Sequence, residues 1–183
     1  MQKFIIKFLL EFFRPVLIAI DFVNPRLFMR VYFFLLKKNG LKFKGKPRYI
    51  SPRSKFDLSS QIILGERIVI SHNVILLTHD YSITTALRSQ GYQMSSDLAI
   101  RKSINIGSNV FIGMNAILLP GTHIGNNVII GAGSVVTGSI PDNSVVAGNP
   151  ACTIRRMNEH YEKCHDIAKN RKDVFYDKVD KNE

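Results

Sequence analysis

The chain has no tryptophan, only two cysteines in 183 residues, and few acidic residues at its N-terminal end. Without tryptophan there is no indole N–H to offer a ligand. Cys152 and Cys164 stand twelve apart, which is too little for a disulfide framework, and both are expected as reduced thiols in a cytoplasmic protein. Apolar runs long enough to cross a bilayer, about 20 residues, are also missing, because charges interrupt every candidate. A cleavable signal peptide is not expected either: Lys7, Glu11 and Arg14 fall inside the apolar region, and no small-residue cleavage site follows. In residues 1–50 only Glu11 and Asp21 oppose eleven Lys/Arg, so +9 of the net +11 sits there, together with nine of the twelve phenylalanines. Basic charge mixed with Phe points to a membrane surface rather than to nucleic acid, for which no recognition motif is present.

What the sequence does have is a count of six. Ile100, Ile106, Ile112, Leu118, Ile124, Ile130 and Val136 are all aliphatic, and Gly107, Gly113, Gly125 and Gly131 directly follow four of them. Four places after each aliphatic comes Ile104, Val110, Ala116, Thr122, Val128, Ser134 and Ile140, mostly small or β-branched. A fixed period that is neither helical nor a simple alternation is the signature of a solenoid. Each unit reads as a short strand and a corner, and three units close a triangular coil of about 18 residues whose strands stack in parallel. A weaker count runs from Leu58 to Leu76. Between Tyr81 and Ala99 the periodicity stops, and this stretch is expected to leave the coil as a functional excursion.

The flanks read as helical. Residues 2–13 form an amphipathic pattern that Pro15 interrupts, and a second short segment covers Val16 to Val23. Asn24-Pro25 provides an N-cap and first helical position for a helix ending at Asn39-Gly40. Beyond Arg156, Met157, Tyr161, Cys164 and Ala168 fall at helical spacing. The expected organisation is therefore an amphipathic helical segment over 1–45, a repeat domain over 46–150 with its excursion at 81–99, and a helical tail over 151–183. Residues 1–40 are expected to lie on a membrane or to pack on the solenoid.

His79 stands in Leu76-Leu77-Thr78-His79-Asp80-Tyr81, where the count breaks, beside a loop able to cover it. An imidazole with an unperturbed pKa near ~6.5 can take a proton from a hydroxyl at neutral pH. Asp80, its neighbour, and Asp97, where the loop returns, are the carboxylates placed to orient it, and a backbone carbonyl would serve equally. No serine or cysteine stands out with a paired histidine, so a covalent enzyme intermediate is not favoured.

The repeat, the Thr-His-Asp-Tyr run and Gly148-Asn149-Pro150-Ala151 together resemble the hexapeptide-repeat acyltransferases, and among them the sugar and polysaccharide O-acetyltransferases. This resemblance implies an all-β left-handed parallel β-helix, here with N-terminal amphipathic helices and a C-terminal helix. It implies His79 as general base, acetyl-coenzyme A as donor, a carbohydrate acceptor and a homotrimer whose clefts hold the donor. Asn115, Ala132 and Gly133 would line its pantetheine arm. Gly148, Asn149 and Pro150 would lie further along, with Arg155 and Arg156 available to phosphates. Where the family often carries Trp-Ile-Gly, this chain has Phe111-Ile112-Gly113. If the excursion leaves and re-enters at one corner, Leu64, Ile70 and Leu76 stack under Ile100, Ile106 and Ile112, placing His79, Asn115 and Gly133 in one column. No metal is expected, because His72 and His79 do not share a corner position. The implied activity is O-acetylation of a surface polysaccharide or its lipid-linked precursor, on the inner face of the cell membrane. N-acetylation of an amino-sugar nucleotide and a non-catalytic trimeric scaffold are the alternatives.

Overall fold

A computed structural model of the chain describes residues 10–170. Most of the helical stretch expected over residues 2–13 lies outside them. Seventeen short strands and four helices make up the described part, and fourteen of the strands wind into a three-sided parallel solenoid. The first side stacks β1 (Lys42–Phe43), β4 (Ile62–Leu64), β9 (Ile104–Ile106), β12 (His123–Ile124) and β15 (Ser139–Ile140). The second stacks β2 (Tyr49–Ile50), β5 (Val69–Ile70), β10 (Val110–Ile112), β13 (Val128–Ile130) and β16 (Ser144–Gly148). On the third side are β3 (Lys55–Phe56), β6 (Ile75–Leu76), β11 (Ile117–Leu118) and β14 (Val135–Val136).

The sixfold pattern is the burial pattern. Leu64, Ile70, Leu76, Ile106, Ile112, Leu118, Ile124, Ile130 and Val136 all point into the core, as do Ile104, Val110, Ala116, Thr122, Val128 and Ser134. Each fully buried Ile, Leu or Val contributes about 1.5–3 kcal/mol relative to exposure. The intervening residues face outward. Corners are turned by left-handed residues: Asn73, Asn115 and Gly133 between the second and third sides, and Arg67, Asn109, Asn127 and Asn143 between the first and second. Asparagine tolerates this conformation better than most side chains. The latter asparagines also form an amide ladder, with Asn109 Nδ2 donating to Asn127 Oδ1 at 2.9 Å and Asn127 Nδ2 to Asn143 Oδ1 at 3.0 Å.

Two features of the stacking differ from the sequence count. The coils begin at Lys42, well before the weaker count that starts at Leu58, and the first coil escapes that count because it buries Ser54 where the next two bury Val74 and Ala116. Ile100 is not the first aliphatic of the upper coils. It lies in β8 (Ile100–Arg101), which pairs antiparallel with β7 (His79–Asp80) to form the stalk of the excursion. Consequently Leu64 stacks beside Ile106, Ile70 beside Ile112 and Leu76 beside Leu118, one hexad later than the count places them.

The excursion carries its own helix, α3 (Ser82–Ser89). It is fastened by Thr84, whose hydroxyl donates to the Leu98 carbonyl at 3.0 Å and accepts the Leu98 N–H at 2.8 Å. At the open lower end, helices α1 (Arg14–Val23) and α2 (Pro25–Asn39) cross the first coil and close the core with Leu17, Phe28, Tyr32 and Leu36. Asn24 caps α2 by accepting the Leu27 N–H, and Gly40 ends it at φ +114°. At the upper end β17 (Ala151–Arg156) folds back antiparallel on β16 and runs into α4 (Met157–Asn170).

Glycine at the start of each corner is a packing requirement. A Cβ on Gly107 would sit 2.5 Å from the Gly125 carbonyl oxygen of the next coil. Gly107→Ala is therefore expected to destabilise the fold by about 1–3 kcal/mol through overpacking, read as a fall in the chemical-denaturation midpoint. An unchanged midpoint would mean that the coils can separate freely there.

Candidate active site

Asp57, Thr78 and His79 meet at the corner between the third side and the first, where the excursion leaves. The strand β3 ends at Phe56, stacked beside Leu76 of β6, so Asp57 lies below Leu77 and its side chain reaches along to Thr78 and His79. Asp57 opens a tight Asx turn: its Oδ1 accepts the Ser59 N–H at 3.1 Å and the Ser59 hydroxyl at 2.7 Å. Its Oδ2 faces upward and accepts the Thr78 N–H at 2.8 Å, with the Thr78 hydroxyl also at 2.8 Å. The same oxygen meets His79 Nδ1 at 2.5 Å.

Burial alone would raise the Asp57 carboxyl. The hydrogen bonds from Ser59, His79 and Thr78 outweigh it and hold the group well below the usual carboxylate range. It is ionised at neutral pH and can only accept. Nδ1 of a neutral His79 must therefore carry the ring proton, which leaves the lone pair on Nε2. Thr78 is fully buried and its hydroxyl also accepts the Ser60 N–H at 3.0 Å, so the corner below His79 is rigidly bonded. The His79 side chain itself is about one-third exposed. Tyr81 stands edge-on to the imidazole, with ring centroids 5.5 Å apart, and is half-exposed. The arrangement is that of an oriented general base: a fixed imidazole, a charged acceptor behind it and an open nitrogen in front.

Neither aspartate singled out from the sequence takes this place. Asp97 pairs with Arg88 across the excursion at 3.0 Å. Asp80 turns toward Ser82, accepting its N–H at 2.8 Å and its hydroxyl at 2.9 Å, and these bonds lower its pKa. Sequence reasoning missed Asp57 because it comes from the coil below, far back along the chain. The signal was recoverable. Phe56 stacks beside Leu76, and the same register carried back from His79 lands on Ser59, the far end of the turn that Asp57 opens.

The other proposed positions fall on a different corner. Asn115 donates its N–H to the His72 carbonyl at 3.0 Å, and Gly133 donates to Met114 at 2.8 Å. Asn73, Asn115 and Gly133 thus form the column between the second and third sides. His79 stands outside it, at the next corner, and the single column expected from the sequence is corrected accordingly. Ala132 and Gly133 are exposed, and a Cβ on Gly133 would meet nothing within 4 Å. Gly148 continues the Asn115–Gly133 corner, its N–H reaching the Ser134 hydroxyl at 3.3 Å. Asn149 and Pro150, joined by a cis bond, form the turn from β16 to β17. Arg155 and Arg156 lie at the opposite end of that hairpin, paired with Val145 and Ser144. About five residues of strand, roughly 16 Å, separate them from the turn. Among the described residues no group of three His, Cys, Asp or Glu could hold a metal ion.

Residues 103–138 match the family model described as bacterial transferase hexapeptide (six repeats). A galactoside O-acetyltransferase of Lactococcus lactis subsp. lactis (strain IL1403) is 36% identical over 110 residues, covering 60% of this chain and 50% of that protein. A candidate lipopolysaccharide-biosynthesis O-acetyl transferase of Escherichia coli (strain K12) is 37% identical over 100 residues, covering 53% and 51%. The chain thus spans about half the length of these curated relatives. Among solved structures, a galactoside acetyltransferase in complex with coenzyme A shares the fold with a TM-score of 0.58 at 23% identity, over 82% of this chain and 77% of that one.

Asp57→Asn is expected to lower any turnover by about 10²-fold or more, in line with general-base contributions of 10²–10⁴, because an amide no longer fixes the proton on Nδ1. It is also expected to change acid stability. The folded carboxyl titrates below its unfolded value of about 3.9, so its stabilisation is complete above that pH and fades as pH falls below it. Wild type should therefore exceed Asp57→Asn in denaturation midpoint near neutrality, with the gap closing in acid. A gap independent of pH would contradict the ionised carboxylate.

Proposed function

We propose that this chain, whose residues 103–138 match the transferase hexapeptide model and which is similar to sugar O-acetyltransferases, is an acetyltransferase of the hexapeptide-repeat superfamily that carries an acetyl group from acetyl-coenzyme A to a sugar hydroxyl. The observation that carries this reading is the Asp57–His79 pair, with Nδ1 held at 2.5 Å and Nε2 left open at the mouth of the excursion. The donor supplies an acetyl group already activated as a thioester. His79 Nε2 takes the proton from the acceptor hydroxyl as its oxygen attacks, and Asp57 stabilises the imidazolium that forms. The same nitrogen then returns the proton to the departing sulfur, so the ester forms, the carbon–sulfur bond breaks and the base is restored.

Asn115, Ala132, Gly133 and the Gly148–Pro150 turn suit a pantetheine arm, because that corner is built from small or exposed residues with backbone groups near the surface. They do not share a corner with His79 in one chain. A cleft using both sets of residues is best formed between two subunits, and we assign the working enzyme as a homotrimer with three such clefts. The acceptor is a surface polysaccharide or its lipid-linked precursor. This assignment is supported by relatives named for galactosides and for lipopolysaccharide biosynthesis. Its place of work is the cytoplasmic face of the cell membrane.

Isothermal titration of the purified chain with acetyl-coenzyme A is expected to saturate near one donor per subunit. His79→Ala should retain that binding while losing about 10²–10⁴-fold in acetyl transfer. Ala132→Trp should instead weaken donor binding. A folded chain that takes up no donor would remove the proposal, as would transfer that survives His79→Ala.

A further inference from the structure

We propose that the outer face of the α1–α2 hairpin docks on an anionic bilayer surface, setting the Asp57–His79 corner beside the lipid so that the sugar acceptor is reached while still lipid-linked. The docking stands by itself; the lipid-linked acceptor rests on the transferase reading. The hairpin has two faces with different fates. Its inner face, with Leu17, Phe28, Tyr32 and Leu36, is spent on closing the solenoid. The outer face presents Val16, Phe22 and Val23 from α1, and Leu27, Val31 and Phe34 from α2. Phe22 is 91% exposed and Val23 81%. The α2 trio has the i, i+4, i+7 spacing of one helix stripe.

Charge decides the occupant. Arg30, Lys37 and Lys38 flank this stripe and are exposed. The two acidic residues of the segment are both engaged, Glu11 by Arg14 at 2.6 Å and Asp21 by the Tyr49 hydroxyl at 2.7 Å. An apolar strip edged by cations, with both carboxylates bonded to protein partners, fits a negatively charged interface, where each nearby cation strengthens binding. Among the described residues no helix is long and apolar enough to cross a membrane.

Position connects the face to the chemistry. The hairpin rests against the first coil through Phe28 on Tyr49 and Phe33 on Phe43. Asp57 ends that coil, and His79 lies one coil higher, about 4.8 Å. With one helix thickness of about 10 Å between, Nε2 stands within roughly 15–20 Å of the docking plane. That is the reach of a sugar carried on a lipid phosphate.

The test is flotation of the full chain with phosphatidylcholine vesicles, with and without phosphatidylglycerol. Wild type is expected to float only with phosphatidylglycerol and to be released by salt. Phe22→Glu/Val23→Glu and, separately, Arg30→Glu/Lys38→Glu should each weaken binding about tenfold or more. Melting behaviour and acetyl-coenzyme A titration should stay unchanged in both. The proposal is overturned if wild type fails to float, if both variants float like wild type, or if the substitutions lower the oligomeric mass, which would make the face a subunit contact. Vesicle binding by a chain that takes up no acetyl-coenzyme A would uphold docking and remove the transferase reading instead.

Discussion

Stacking register governs this molecule. Each coil hides its aliphatics under those of the next, and glycine-lined corners leave no room for adjustment: Gly107 meets Gly125, and Gly113 meets Ala132. Ile106 lies beside Ile124, and Ile112 beside Ile130, each one regular coil further along. Where extra chain is inserted, it must leave and return at the same corner. Leu64 lies beside Ile106 although the whole excursion intervenes between them in sequence, so the insertion leaves the coils above and below undisturbed. A rigid frame with a single interruption gives the interruption a fixed position. The stalk of β7 and β8 thereby holds His79 at a defined height, backed by a coil on which it can lean.

What it leans on is a carboxylate whose desolvation is opposed by several donors. Ser59 secures one oxygen of Asp57 and Thr78 secures the other before His79 adds its own bond. The charge is therefore fixed by backbone geometry and does not depend on the imidazole alone. An ionised, immobile acceptor determines the tautomer of the ring, and the tautomer determines which nitrogen meets a substrate. The chain of cause runs from the register of β3 on β6, through the turn at Asp57, to the lone pair at Nε2. The hairpin at the lower end belongs to the same logic, since it closes the core of the coil that supplies Asp57.

Where the hexads are regular, the sequence is enough. From Ile62 to Leu76 and from Ile104 to Val136 the count alone identifies the buried residues, because the strand period and the corner spacing leave one inward choice. Asn24-Pro25 and Asn39-Gly40 mark α2 in the same direct way. The first coil was not legible. Its outward positions carry Lys42 and Lys55, and its inward ones include Ser51 and Ser54. Its step to the next coil is also longer than the regular one, with Tyr49 beside Val69 where Phe111 lies beside Ile129. Losing that coil also meant losing Asp57, since a partner supplied by a neighbouring turn of a solenoid is invisible until the register is known. The column placing His79 with Asn115 failed for a related reason. Ile100 continues the aliphatic series by coincidence of spacing while its backbone belongs to the stalk.

A crystal structure of the full chain with coenzyme A bound would probe the whole scheme at once. The thiol should lie within hydrogen-bonding reach of His79 Nε2, with the pantetheine arm running past Asn115 and Gly133 of the adjacent subunit. Coenzyme A bound away from His79, or held by residues of one corner in a single isolated chain, would contradict the assignment of Asp57–His79 as the acetyl-transfer site.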